Sequence, residues 1–216
     1  ALSSTGVVTL TGTQTLTNKT LTAPVINSPT GDFIKIGGTN FTNSLLIGHA
    51  TSGTLNSALS NTGVGIAALD ALTSGDNNTG IGASALSGVS LGVKNTSIGS
   101  SSGANLSSGS ANTSVGFQNL YANQGGNYNV AIGQLALEDA TASNNTAVGT
   151  EALKEVSNSS YNIALGYQAG DNITTGSGNV IIGTVDAAAA DSARTLKIAG
   201  YDGSTTTTWI EGSGTG

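Results

Sequence analysis

One five-residue pattern, Asn-X-X-aliphatic-Gly, recurs through most of the chain and constrains the fold more than any other feature of the sequence. Copies stand at Asn61–Gly65, Asn78–Gly82, Asn95–Gly99, Asn112–Gly116, Asn129–Gly133, Asn145–Gly149, Asn162–Gly166 and Asn179–Gly183. Successive copies are 17 residues apart, except for a step of 16 between Asn129 and Asn145. Ser44-Leu45-Leu46-Ile47-Gly48 lies one period earlier, and Leu196-Lys197-Ile198-Ala199-Gly200 one period later, each with a substituted first position. A short fixed period marks a repeat architecture, which grows in one dimension by adding units.

Each unit can be numbered from its Asn. Position 4 is aliphatic throughout: Ile47, Val64, Ile81, Ile98, Val115, Ile132, Val148, Leu165 and Ile182. Position 5 is Gly throughout: Gly48, Gly65, Gly82, Gly99, Gly116, Gly133, Gly149, Gly166 and Gly183. Leu is common at position 9 (Leu69, Leu86, Leu120, Leu137, Leu153), and an aliphatic residue at position 12 (Leu55, Leu72, Val89, Leu106, Val156, Ile173). A helical repeat needs ~33–47 residues, so this unit is too short for one. It fits one coil of an all-β solenoid whose coils stack ~4.8 Å apart through backbone hydrogen bonds. On this reading the position-4 residues form an internal aliphatic ladder. The position-5 glycines turn a corner that a Cβ would strain. Asn61, Asn78, Asn95, Asn112, Asn129, Asn145, Asn162 and Asn179 stack as an amide ladder, each bonding the next coil. The Ala-Leu pairs, such as Ala68-Leu69 and Ala152-Leu153, belong to a second apolar segment, with single helical turns as the alternative. The 16-residue step before Asn145 predicts a local irregularity.

The flanks differ from the array. In residues 1–30, the run from Val7 to Thr17 alternates Thr with mostly apolar residues, a period-2 pattern that predicts extended strand. Pro24 and Pro29 then interrupt central-strand bonding. This segment reads as an attachment arm or linker that pairs with itself or a partner, with a flexible tether as the alternative. Residues 31–43, with Phe33-Ile34-Lys35-Ile36, read as a transition strand, and Phe41 as a cap on the first apolar layer. The array spans 44–195. Residues 196–216 hold a terminal strand around Trp209 and a Gly/Ser end.

A coil of this kind carries a thin core: one Val or Ile and one or two Leu against the ordering entropy of 17 residues. Association along a common axis would supply a second apolar face, and a homotrimer is the expected closed arrangement. Only 8% of residues are charged, yet the aliphatics return in register, which argues against disorder. The net charge is −6 and the cations Lys19, Lys35, Lys94, Lys154, Arg194 and Lys197 are scattered, so no nucleic-acid partner is expected. No apolar run reaches the ~18 residues of a membrane span, and no membrane insertion is expected. The chain has no Cys, which excludes disulfides and thiolate chemistry.

Catalytic and ligand-binding readings fare poorly. The single histidine, His49, follows a corner glycine at a variable position and reads as a surface residue, so neither a zinc set nor a Ser-His-Asp triad can be built. Glu138-Asp139, Glu151 with Glu155, and Asp186 with Asp191 are the carboxylate pairs that a glycan-cleaving site would need. They read as solvated surface acids. Asp70, Asp76, Asp139, Asp171 and Asp186 form no register column, unlike calcium-binding repeats. Position 2 presents Thr62, Thr79, Thr96, Thr113 and Thr146, a column of the kind that orders water against ice, but Val130, Ile163 and Val180 interrupt it. No enzyme activity, cofactor or metal is expected.

The array, with Asn162-Ile163-Ala164-Leu165-Gly166-Tyr167-Gln168-Ala169-Gly170 as its fullest copy, resembles the Asn-Thr-Ala-Ile-Gly-type repeats of bacteriophage tail-fibre-like proteins. More distantly it is similar to the head repeats of trimeric autotransporter adhesins, whose units are shorter. The segment Thr15-Leu16-Thr17-Asn18-Lys19-Thr20-Leu21-Thr22-Ala23-Pro24 resembles a linker of phage fibre and virion structural proteins. Thr205 to Gly212 resembles the strand that precedes a self-cleaving chaperone in such fibres. The resemblance implies a homotrimeric virion appendage for host attachment, docked to other virion proteins through its N-terminal segment. It supplies no receptor. The alternatives are a bacterial trimeric surface adhesin and, less favoured, a glycan-degrading tailspike.

Overall fold

The computed structural model describes residues 34–36, 41–48 and 56–214. Residues 1–30, His49 and Leu55, on which some sequence expectations fall, lie outside the described residues. The described residues form an all-β solenoid with coils of about 17 residues and no helix. The strands are β1 (Ile34–Ile36), β2 (Phe41–Thr42), β3 (Leu45–Ile47), β4 (Ala58–Leu59), β5 (Thr62–Val64), β6 (Thr79–Ile81), β7 (Thr96–Ile98), β8 (Thr113–Val115), β9 (Val130–Ile132), β10 (Thr146–Val148), β11 (Ile163–Leu165), β12 (Val180–Ile182), β13 (Leu196–Tyr201) and β14 (Thr206–Gly212). Within one 12-stranded sheet, β3 and β5 through β13 run parallel, each paired to the strand one coil away. Roughly nine steps of ~4.8 Å make a stack about 43 Å long. Both ends are closed by antiparallel strands: β1 on β3, and β14 on β13.

Strand geometry overturns the assignment of position 4 to the core. Successive side chains of a strand point to opposite faces. Position 1 holds a buried Asn, so position 3 also points inward, while positions 2 and 4 point outward. The middle residue of every array strand is accordingly buried: Leu46, Gly63, Gly80, Ser97, Ser114, Ala131, Ala147, Ala164 and Ile181. The nine residues expected as an internal ladder (Ile47, Val64, Ile81, Ile98, Val115, Ile132, Val148, Leu165 and Ile182) lie instead on the outer face of the sheet, half-buried or exposed. Ile81, Ile98 and Ile132 expose 39–40% of their surface.

The core is built from position 3 packed against positions 8, 9 and 12. Ala68, Leu69 and Leu72 in one coil, and Ala85, Leu86 and Val89 in the next, are fully buried. Position 3 is small wherever a Leu at position 9 fills the space. Where position 3 is large, it crowds its neighbour: a Cβ on Gly63 would come within 2.5 Å of a Leu46 methyl. The inward Leu side chains come at a backbone cost, because Leu69, Leu86, Leu120, Leu137 and Leu153 all have φ between 48° and 58°. That left-handed conformation costs roughly 1–2 kcal/mol per non-Gly residue, against ~1.5–3 kcal/mol for burying a Leu. Bonds such as Ala68 N–H to Gly65 O (3.2 Å) and Leu72 N–H to Leu69 O (3.2 Å) close successive tight turns, and the helical-turn alternative is not realised.

The apolar core is not continuous. One cluster runs from Leu46 to Leu106 and a second from Leu120 to Ala187. Between them, Gly103 occupies a Leu position, and Ser102 Oγ lies 2.7 Å from Ser114 Oγ. The hydroxyl of Ser97 also meets that of Ser114. Asn119 stands where most coils have Ala, donates from Nδ2 to Ala131 O at 2.9 Å, and leaves its buried Oδ1 without a partner.

The 16-residue step at Asn145 is absorbed in a turn. β10 keeps its in-register pairing with β9, Thr146 opposite Val130. Asn129 Nδ2 donates to Ala142 O, 13 residues on, where the regular ladder reaches 14. The preceding turn is stitched by Asn123, whose Oδ1 accepts from Gly126 N–H at 2.7 Å. A second 16-residue step follows Asn179. Val180 pairs with Leu196, which puts Thr195 in the Asn position and Ala199 in the corner position, so the last coil is one residue shorter than the sequence phase expected.

Candidate functional site

The asparagine column is the fixed spine of the array. Asn78 N–H donates to Asn61 Oδ1 at 2.9 Å, and Asn78 Nδ2 donates to the same oxygen at 3.1 Å and to Gly92 O at 2.8 Å. The same three bonds recur at Asn95, Asn112 and Asn129, with Ala142 O as the last acceptor at Asn129. Asn145, Asn162 and Asn179 keep the backbone bond to the preceding Oδ1 at 2.9–3.0 Å. Ser44 Oγ starts the column by accepting from Asn61 N–H at 2.7 Å, and Thr195 N–H ends it on Asn179 Oδ1 at 2.9 Å. Every Asn of the column is buried.

Position 16 carries a second ladder that the sequence reading missed. Its side chains accept from the backbone of the coil before: Leu59 N–H to Asp76 Oδ1 at 2.7 Å, Ser110 N–H to Asn127 Oδ1 at 2.8 Å, Asn127 N–H to Ser143 Oγ at 2.9 Å (position 15 of its shorter coil, the equivalent place) and Ser160 N–H to Ser177 Oγ at 3.2 Å. The signal was present as a recurrent Asp, Asn or Ser, residues that bond nearby backbone. It was hidden because no single residue type repeats.

The corner glycines make the closest approach between coils. Gly82 has φ +132°, and a Cβ there would come within 2.5 Å of Gly99 O. The remaining members of the column, from Gly65 to Gly183, show the same positive φ, and Gly48 has φ 79°.

With the spine and corners internal, the outer face of the sheet is one of the surfaces open to solvent. Its two central columns are positions 2 and 4. Thr62, Thr79, Thr96, Thr113 and Thr146 therefore share one face with Val64, Ile81, Ile98, Val115 and Val148. Val130, Ile163 and Val180 complete the position-2 column on that same face. Ile163 is 40% exposed, and Val130 and Val180 are half-buried. Positions 17 and 6 flank the face and carry Tyr128, Tyr161, Ile66, Phe117 and Tyr167, all exposed.

The carboxylates lie away from that face. Glu138 pairs with Lys154 at 3.7 Å, and Glu151 accepts from Gln168 Nε2 at 2.7 Å. Asp186 is grouped with Asp171 of the preceding coil, where the sequence pairing was with Asp191. Burial, then a carboxyl–carboxyl hydrogen bond and the charge of Asp186, with smaller contributions from Glu155 and Glu151, push the Asp171 carboxyl up to about 7. Among the described residues no group of acids or histidines is arranged to hold a metal ion, and no helix is long and apolar enough to cross a membrane. No protein-family model, curated protein or solved structure matches this chain.

Proposed function

We propose that this chain is a non-catalytic structural fibre: a homotrimeric appendage of a phage virion, a tail fibre or its like, that spaces and presents host-attachment regions. The observation that carries this reading is the uniformity of the stack. Each coil directs its recurrent chemistry at its neighbours, through the asparagine column, the position-16 ladder and the corner glycines, and little of it faces solvent. A molecule built so delivers length in proportion to the number of coils. The Thr-rich N-terminal segment docks to other virion proteins, and the opposite end faces the host receptor.

Immunogold labelling with an antibody against the array tests this reading on purified particles and on cell envelopes from the same culture. Label on a particle appendage supports it. Label confined to cell envelopes assigns the chain to a bacterial surface adhesin instead.

A further inference from the structure

We propose that the outer face of the sheet is the surface through which copies of this chain pack on one another, with Trp209 as the anchor at its C-terminal end. This rests on the fibre reading above and names the surface by which the fibre's chains associate. The exposed large hydrophobics are concentrated on this face. Ile66, Ile81, Ile98, Phe117, Tyr128, Ile132, Ile163, Leu165, Tyr167 and Leu196 all occupy positions 17, 2, 4 or 6. No acid stands in these four columns, and among the described residues their only cations are Lys94 and Arg194. The carboxylates of a chain with net charge −6 thus lie elsewhere on the coil, so like faces can meet without like charges meeting. The array strands of the face are three residues long, so its flat part is about 10 Å wide over the ~43 Å stack, roughly 430 Å² per copy. That is about half of the ~800 Å² that each partner of a stable interface buries, and positions 17 and 6 with the C-terminal hairpin supply the rest.

The C-terminal hairpin extends this face by an irregularity. Ile198 pairs with Ile210, but Ala199 pairs with Thr208, so Trp209 is an extra residue in β14. Such a bulge re-aims side chains and breaks strict alternation. Ile210 lies opposite Ile198 on the outer face. The Trp209 ring also turns to that side, over Gly200, where a Cβ would come within 2.5 Å of its Cζ2. Two consecutive bulky side chains are thereby presented together, Trp209 68% and Ile210 51% exposed. A flat, rigid Trp on a glycine floor is the kind of group that dominates association energies.

The experiment is sedimentation velocity across a dilution series, with fluorescence of the single Trp and circular dichroism on each sample. The chain is compared with Trp209→Ser, with the double variant Ile163→Lys and Leu165→Lys, and with Leu91→Ser, an exposed Leu at position 14, outside the four columns. The proposal expects a wild-type oligomer whose Trp emission shifts to the red on dissociation. It expects at least tenfold weaker association in the two face variants, with β-type dichroism kept, and no change in Leu91→Ser. A wild-type oligomer that all three variants leave intact overturns the assigned face but not the fibre reading. Equal weakening by Leu91→Ser overturns the face as well. A wild-type monomer at micromolar concentration overturns both.

Discussion

At the scale of single residues, the array rests on groups whose replacement costs more than their size suggests. Asn95 Oδ1 accepts two hydrogen bonds from Asn112, and its Nδ2 donates two more, all of them buried. Asn95→Ala therefore strands several buried groups and is expected to cost about 2–4 kcal/mol. Thr96→Ser, next door on the outer face, should stay within ~0.5 kcal/mol. Urea midpoints of the two variants check the contrast. Gly82→Ala meets both a positive φ and the carbonyl of Gly99 and is expected to cost at least about 2 kcal/mol. Asp171 supplies a pH dependence whose sign is opposite to that of a salt-bridged carboxylate. Its folded value of about 7 lies above the ordinary 3.8, so between those values the folded chain binds more protons than the unfolded one. Stability from this group is therefore fully present below 3.8 and is lost as pH rises from there to about 7. Asp171→Asn should flatten that decline and raise the thermal midpoint at pH 8 relative to the parent, with little gain at pH 4. Melting curves at the two pH values would expose an error if the variant and parent kept the same difference at both.

At the scale of the coil, the sequence showed the period, the corner and the asparagine column, because each rests on one residue type kept at one position. It misplaced the apolar layers for a physical reason. The inward strand position is small in most coils, as at Gly80, Ser97 and Ala131, so the core column does not look hydrophobic. The outward column does, at Ile81, Ile98 and Ile132, because it is the sheet's other apolar face. Period-2 alternation from a buried Asn would have exposed this, once the asparagine was known to point in. The short last coil was hidden for another reason: Gly200 matches the corner residue type at the expected distance, while pairing follows Leu196 with Val180. The same logic separates two insertions. A Gly added after Thr141 falls in the turn that absorbs the 16-residue step, and should cost less than about 1 kcal/mol, since loop length is thermodynamically cheap. A Gly added after Ala131 shifts Ile132 to the inner face and breaks the β8–β9–β10 register, so it should unfold the neighbouring coils. Near-ultraviolet dichroism and thermal midpoints distinguish the two variants, and equal damage would contradict the register argument.

At the scale of the whole molecule, stability in a solenoid is close to a sum of coil terms and neighbour interfaces, so the weakest interface sets where the stack divides. The split between the two apolar clusters identifies that interface as the layer of Ser97, Ser102, Ser114 and Asn119. Hydroxyl–hydroxyl bonds contribute about 1 kcal/mol net each, and the missing Leu at Gly103 forgoes about 1.5–3 kcal/mol of burial. The unpartnered Asn119 Oδ1 adds a desolvation penalty at the same level. The stack should therefore open in two blocks, residues 61–106 and 120–187, and not as one cooperative rod. Hydrogen exchange across a urea series is expected to give two protection midpoints that change between Leu106 and Leu120. Ser97→Ala with Ser114→Ala imports the small apolar residues that occupy this position at Ala131, Ala147 and Ala164, and should draw the midpoints together. One midpoint shared by both blocks in the parent chain would show that the asparagine spine, which runs unbroken from Asn95 to Asn129, outweighs the gap in the core.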